Sequence, residues 1–262
     1  MPAFLVETAL LTHGLVSLSN AALAEAWPAS DLSLAWVDRG RVCIGGLEEY
    51  LPFRSRAAAL SRIDCQGLPD AREAGLSGAL TASGTMAVCA QHGIPLAVSC
   101  GIGGIGEVRG EALCPDLPAL RELPVVLLAT AIKDLLDIPE TIRWLRDEGV
   151  RVLGVGGSSC SGYLFRGAET ALDGSLEGDA LPQRGSGLLL LNPIPAAQRI
   201  ADSGCLAQGI AEGRQAEAEG RYYHPAANAA FDRLTGGYSS QIQLQSLLAN
   251  AALAARLTAA HP

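Results

Sequence analysis

"LPVVLLAT", residues Leu123–Thr130, is apolar from its first residue to its last but one. A half-exposed strand would alternate apolar with polar residues. A continuous run of this length reads instead as a strand covered on both faces, as in a parallel sheet packed between helices. Outward from it the same rhythm repeats. Upstream, "TASGTMAVCAQHG" (Thr81–Gly93) reads as a helix with Thr81 as N-cap and Gly93 as its stop, and "IPLAVSC" (Ile94–Cys100) as a strand. Downstream, "DIPETIRWLRDEG" (Asp137–Gly149) carries the fullest set of helix signals. Asp137 caps, Pro139 sits in the first turn, Glu140 completes the capping-box spacing and Gly149 ends it.

"VRVLGVGG" (Val150–Gly157) and "SGLLLLNPIP" (Ser186–Pro195) read as further core strands, with a long loop or small excursion between them over Ser158–Gly187. Toward the N-terminus, "FLVETALLT" (Phe4–Thr12) reads as a buried strand, and "DLSLAWVDRGRVCIGG" as a hairpin turning at Asp38-Arg39-Gly40. From Ala196 onward the chain is rich in Ala, Gln, Leu and Arg, which predicts two or three helices. Alternating strands and helices predict a layered α/β/α fold with a central mixed, largely parallel sheet and a helical C-terminal region. No boundary interrupts it, so residues 1–262 are expected to form a single domain.

Bulk composition excludes several classes. The 49% apolar and 18% charged fractions are those of a globular chain. A net charge of −8 disfavours nucleic acid or an anionic membrane as main partner. No apolar stretch reaches the ~18 residues of a membrane span. Glu7 interrupts the first apolar run and no basic segment precedes it, so "MPAFLVETALL" makes a poor signal peptide. Seven cysteines without a C-x-x-C pair fit neither a disulfide framework nor a zinc ribbon. The expectation is a soluble, reduced, cytoplasmic protein.

Of the 19 Lys and Arg residues, 18 are Arg; Lys133, in "ATAIKDLLD", is the only lysine. Guanidinium stays protonated, whereas a lysine amine can be desolvated and attack a carbonyl. Lys133 follows the Leu123–Thr130 strand, and sites in such sheets gather where strands end. It reads either as a Schiff-base nucleophile or as a solvated lysine at a helix start. Glu7 reads either as an acid/base group on a strand's inner face or as a solvent-facing glutamate. His13 at the strand exit reads as catalytic or as a structural hydrogen-bonder. "GIGGIG" (Gly101–Gly106) fits a dinucleotide fingerprint formally. No convincing helix follows it, which leaves at most a glycine-lined anion or sugar cradle. Cys160 in "GGSSCSG" matches no thiol motif.

Taken together, these blocks resemble the pseudouridine-5′-phosphate glycosidases, which include the indigoidine synthase A-like proteins. "VETALLTHGL" is similar to the family's first block, "LSRIDCQGL" to its Ser-Arg block, and "TASGTM" and "GIGGI" to the next two. "ATAIKDLLDIPETIRWLRDEGVRVLGVG" resembles the lysine block, and "LLNPIP" and "LTGGYSSQIQLQSLLANAALAARL" the last two. The resemblance implies a layered α/β enzyme acting on the C–C bond between ribose 5-phosphate and a base. Lys133 would form an imine with ring-opened ribose, and Glu7 would move protons. It implies substrate contacts by His13, Ser61, Arg62, Thr81, Thr85, Gly103, Gly104, Asn192 and Gln243. It further implies a homo-oligomer, a trimer, with a sugar phosphate and an aglycone as small-molecule partners.

The departures are specific. The family's phosphate-binding lysine falls on Ala59, its manganese aspartate on Ala112, and its base-contacting asparagine on Gln243; its histidine after the glycine turn is absent from "GEVRG". Arg62, Arg56 or Arg109 would then hold a phosphate, and Asp116 or Glu111 any Mn2+. Two readings follow. One is an enzyme with an altered aglycone, including C-nucleoside biosynthesis. The other is a catalytically degenerate homologue that binds a sugar phosphate or a partner protein.

Overall fold

The computed structural model describes residues 1–15, 17–28, 32–106, 113–178, 180–181 and 187–259. Its strands are β1 (Phe4–Val6), β2 (Leu34–Asp38), β3 (Arg41–Gly45), β4 (Ser61–Ile63), β5 (Gly78–Leu80), β6 (Leu96–Val98), β7 (Gly101–Ile102), β8 (Val126–Ala129), β9 (Ala131–Ile132), β10 (Arg151–Gly154), β11 (Ser159–Cys160), β12 (Thr170–Ala171), β13 (Gly174–Ser175) and β14 (Leu188–Leu191). Its helices are α1 (Asn20–Ala26), α2 (Leu47–Arg54), α3 (Leu68–Glu73), α4 (Ala82–His92), α5 (Asp116–Glu122), α6 (Ile138–Asp147), α7 (Ser203–Ala218), α8 (Tyr223–Leu234) and α9 (Tyr238–Ala259).

The main sheet runs β13-β10-β14-β8-β6-β1-β2-β5-β4, with β3 paired to β2. Its pairs are parallel except where β2 meets β3 and β5. This is the mixed, largely parallel sheet that the sequence predicts. β8 lies inside it, and its residues divide between two cores. Val126 and Leu128 face a layer that includes Leu244 and Leu247 of α9, while Leu127 and Ala129 face Met86, Leu120 and Ile142 of α4, α5 and α6. Both faces being apolar, the strand carries no period of two. The run shortens to Val126–Ala129 because α5 continues to Glu122 and Leu123 is its C-cap.

The local signals act as their chemistry dictates. Thr81 Oγ1 accepts the Gly84 amide and Gly93 closes α4 at φ 66°. Asp137 accepts the Glu140 amide at 2.9 Å at the start of α6. The hairpin turns through Arg39 and Gly40, both at positive φ.

One strand reading needs correction. Phe4–Thr12 is not a single strand: β1 stops at Val6, and a π-helical turn spans Leu10–Gly14. The reason lies in Thr8. Its hydroxyl donates to the Ala35 carbonyl at 2.7 Å and accepts the Leu80 amide at 3.0 Å, while its own amide donates to the Leu80 carbonyl at 3.2 Å, so a side chain takes over part of the ladder where the strand ends.

The C-terminal region forms three helices. α7 and α8 make a hairpin whose close approach depends on Gly209 and Gly213. A Cβ at either would meet the Phe231 ring at 2.1 Å or the Tyr223 ring at 2.8 Å. α9 lies along the sheet, and Asn250 Nδ2 donates to the Ser99 carbonyl at 2.8 Å and to Thr130 Oγ1 at 3.0 Å. No described helix is long and apolar enough to cross a membrane.

Candidate active site

A cavity of about 590 Å³ opens where β1, β4, β5 and β9 end and β7 begins, and the α7–α8 hairpin closes its side. Glu7 follows β1 directly and is buried, at 6% exposure. Its Oε1 accepts the Cys100 amide at 3.3 Å. Burial pushes its carboxyl up to about 7, against the opposing pull of Lys133 and with a further push from Asp116. Near neutral pH such a carboxyl is populated in both protonation states, as a group that both gives and takes protons requires.

Lys133 follows β9, which pairs with β7, and its amide donates to the Ile102 carbonyl at 3.2 Å. Gly101, opposite it, leaves the space its side chain crosses; a Cβ there would lie 3.1 Å from Lys133 Cγ and 2.7 Å from the Tyr163 ring. The neighbouring acids serve the backbone. Asp134 accepts the amides of Tyr163, Leu164 and Phe165 at 2.7, 2.7 and 3.1 Å, and Asp137 caps α6. The anchored loop places Tyr163 on the cavity wall, with its hydroxyl 3.0 Å from Cys100 Sγ and 3.2 Å from Gln243 Oε1. Gln243 Nε2 donates in turn to the Ser239 carbonyl at 3.1 Å. Both ends of that amide are therefore engaged within the protein.

Asp116 is buried and bridges two elements. Its Oδ2 accepts the Gly103 amide and its Oδ1 the Ser83 amide, each at 2.9 Å. Each carboxylate oxygen thus already serves a backbone amide. Among the described residues no group of three or more His, Cys, Asp or Glu is arranged to hold a metal ion. Among the described residues the donor set does not fit Mn2+. Glu111 and Ala112 lie outside the described residues.

Arg62, Arg221, His13 and His224 also line the cavity. Arg62 lies on β4, and among the described residues its side chain makes no hydrogen bond or ion pair. His13 Nε2 donates to the Leu60 carbonyl at 3.1 Å and its Nδ1 is buried without a hydrogen-bond partner. Burial lowers its proton affinity, and the Arg62 charge lowers it further. His224, in the first turn of α8, is held neutral by burial first and then by the charges of Lys133 and Arg62.

The structure thus brings together Glu7, His13, Arg62, Thr81, Asp116, Lys133 and Gln243 of the sequence-derived residues. It does not bring Ser61, Thr85, Gly103, Gly104 or Asn192 to the cavity. Ser61 is exposed, and Thr85 Oγ1 is buried against the Thr81 carbonyl at 2.8 Å. Asn192 Nδ2 donates to Asn250 Oδ1 at 2.9 Å. Gly103 and Gly104 admit the protein's own side chains. A Cβ at Gly103 would meet Cys114 Sγ at 2.0 Å, and one at Gly104 would meet Thr141 Oγ1 at 2.6 Å. Arg56 is also elsewhere, paired with Asp38 at 3.0 Å and set over the Phe53 ring. Arg109 lies outside the described residues. Cys160 is buried, its thiol pushed up by that burial, and it does not line the cavity.

Sequence reasoning missed Tyr163 and His224. Tyr163 is placed by hydrogen bonds to a residue 29 positions away, which leave no local trace. "YYHP" (Tyr222–Pro225), an aromatic cluster in an alanine-rich stretch, was the available sign of His224.

The family model described as indigoidine synthase A like protein matches residues 2–260. A pseudouridine-5′-phosphate glycosidase of Methylobacterium nodulans is 30% identical, across 99% of this chain and 83% of that protein. One of Cupriavidus pinatubonensis is 28% identical, across 99% and 89%. Two solved structures share the fold. An indigoidine synthase A-like protein of Thermotoga maritima has a TM-score of 0.76 at 19% identity, covering 97% of this chain and 91% of that one. The prealnumycin C-glycosynthase AlnA, in complex with ribulose 5-phosphate, has a TM-score of 0.74 at 22% identity, covering 99% and 92%.

Proposed function

The chain belongs to the indigoidine synthase A-like family, and from that premise we propose that this glycosidase-like enzyme makes or breaks the C–C bond joining ribose 5-phosphate to a carbon nucleophile. One observation carries the reading: the chain's only lysine shares a cavity with a buried glutamate whose carboxyl is pushed up to about 7.

In the cleavage direction the Lys133 amine attacks the anomeric carbon and the ring C–O bond opens, Glu7 delivering a proton to the ring oxygen. Lys133 nitrogen then loses a proton, and its lone pair forms a C=N bond as the C–C bond to the aglycone breaks. The departing electron pair stays on the aglycone carbon, which takes up a proton. Water hydrolyses the imine, returning the amine and releasing ribose 5-phosphate. Synthesis is the same path in reverse.

Gln243 supports an aglycone other than uracil: its Oε1 already accepts the Tyr163 hydroxyl and its Nε2 already donates to the Ser239 carbonyl, which leaves one N–H and one lone pair, held in a fixed direction, to read a ligand. Synthesis of a C-nucleoside or related C-glycoside follows as part of the proposal, as does the homotrimer, which light scattering measures. Turnover of pseudouridine 5′-phosphate as fast as any other substrate would sink the altered-aglycone part.

Borohydride reduction in the presence of ribose 5-phosphate tests the core of the reading. The expected result is a stable adduct confined to the Lys133 peptide. No adduct at saturating sugar would leave the competing reading, a sugar-phosphate binder without catalysis, which the poor fit of Asp116 to a metal favours.

A further inference from the structure

Tyr163 is a buried tyrosine on the cavity wall with no part in the imine chemistry. A Cβ on Gly101 would meet its ring at 2.7 Å and Lys133 Cγ at 3.1 Å, so the tyrosine and the stem of the nucleophile flank one glycine. The loop that carries it is held at two points. Asp134 accepts the Tyr163 amide at 2.7 Å, and the buried Arg199 donates through Nη1 to the Ser161 carbonyl at 2.7 Å and to Ser161 Oγ at 2.9 Å. The hydroxyl has one proton and two acceptors within reach, Gln243 Oε1 at 3.2 Å and Cys100 Sγ at 3.0 Å. A thiol sulfur accepts only weakly, so the amide oxygen is the stronger partner.

We infer that Tyr163 is a positioning residue for aglycone recognition: its hydroxyl locks the Gln243 amide in one orientation and so disfavours uracil in this cavity. This rests on the proposed C-glycoside reading of the cavity and deepens its altered-aglycone part.

The amide is held at both ends. Only its NH2 group can donate to the Ser239 carbonyl, at 3.1 Å, so Oε1 is turned to Tyr163 and the amide cannot flip. One N–H and one lone pair remain, in the plane that these two bonds set. Gln243 is itself buried. An aglycone whose polar edge misses that plane therefore leaves amide groups without partners, the condition under which a site discriminates most strongly. Among the described residues Tyr163 is the only side chain that donates to Oε1, so removing one oxygen atom releases the lock. The amide then keeps its tether to Ser239 and turns about it to meet a pyrimidine edge.

The test is equilibrium binding of pseudouridine 5′-phosphate and of ribose 5-phosphate to the full chain carrying Lys133→Met, so that neither ligand is consumed through the imine. Tyr163→Phe is then added, which keeps the ring and removes only the oxygen, with thermal melting followed for every variant. The ratio of the two affinities is expected to move toward pseudouridine 5′-phosphate by about five-fold or more, the scale of one neutral hydrogen bond. Loosened packing weakens both ligands alike, or the larger one more, and cannot produce that gain. With Gln243→Ala also present, Tyr163→Phe should leave the ratio where it was, because the hydroxyl acts through that amide. An unchanged ratio, a shift toward ribose 5-phosphate, or the same gain without the Gln243 side chain would each overturn the inference. The imine reading is decided separately. A chain that keeps Lys133 and gives no borohydride adduct loses its nucleophile, while the affinity ratio, which needs no bond to form, still decides the role of Tyr163.

Discussion

The Tyr163 amide donates to the Asp134 carboxylate at 2.7 Å, so the residue next to the chain's only lysine fixes the tyrosine that walls the same cavity. The lysine and its wall are held by one peptide segment. Asp134→Ala leaves the amides of Tyr163, Leu164 and Phe165 without their acceptor. The expected cost is about 3 kcal/mol or more of stability, read by denaturant unfolding, together with a lower adduct yield at fixed ribose 5-phosphate. Stability within experimental error of wild type would contradict the anchoring role.

Lys133→Arg keeps a positive charge but removes the group that can attack. Borohydride labelling should vanish and turnover fall to background, while the melting temperature stays close to wild type. Lys133→Met removes the charge as well. Because that charge holds the Glu7 carboxyl down, Glu7 in this variant should titrate above about 7. Infrared or NMR titration of Glu7 measures it, and a downward shift would contradict the arrangement.

Glu7 also predicts a pH dependence of folding. Its carboxyl rises from 4.5 in the unfolded chain to about 7 in the fold. Between these values the folded state binds the proton and the unfolded state releases it, so stability falls as pH rises through the window. The loss amounts to about 3 kcal/mol and levels off above it. Glu7→Gln should flatten that slope, be more stable than wild type at pH 8, and slow turnover by roughly 10²–10⁴-fold. Urea unfolding of both proteins across pH 4 to 9 separates these outcomes, and parallel curves would count against the buried carboxyl.

Gly101→Ala tests the space through which Lys133 reaches the cavity. The new Cβ would lie 2.7 Å from Tyr163 Cε1, a ring atom held by a buried hydroxyl, and 3.1 Å from Lys133 Cγ. A destabilisation of about 1–3 kcal/mol is expected, with adduct formation impaired beyond what the stability loss explains. Wild-type labelling kinetics would show that the lysine has room to spare.

How far the sequence could be read follows from the range of the interactions involved. Thr81, Gly93, Asp137 and Gly149 bounded their helices because caps and stops act within a turn. The run through Val126–Ala129 revealed a doubly covered strand because both of its faces are apolar. Lys133 and Glu7 were legible as chemistry: one is a type the chain otherwise avoids, the other a charge within an apolar run. The end of β1 was hidden because Thr8 hydrogen-bonds to residues of β2 and β5. Which atoms pack on Gly103 and Gly104 was not legible, because spacing shows that a backbone is bare and not that Cys114 and Thr141 approach it. Tyr163 and His224 enter the cavity only through tertiary contacts of Asp134 and the α7–α8 hairpin.

The bond from Asn250 to the Ser99 carbonyl spans 151 residues, and it links the last helix to the strand end beside Glu7. Its consequence concerns timing during synthesis. The glutamate and the lysine leave the ribosome long before α8 and α9, so an unfinished chain carries the reactive groups without the walls that confine them. Competence to capture a sugar is thereby deferred until the last helix has docked. Ribosome-bound chains stalled before Tyr238 should give no borohydride adduct at Lys133, whereas released full-length chains should; labelling of the stalled chains would show that the walls are dispensable.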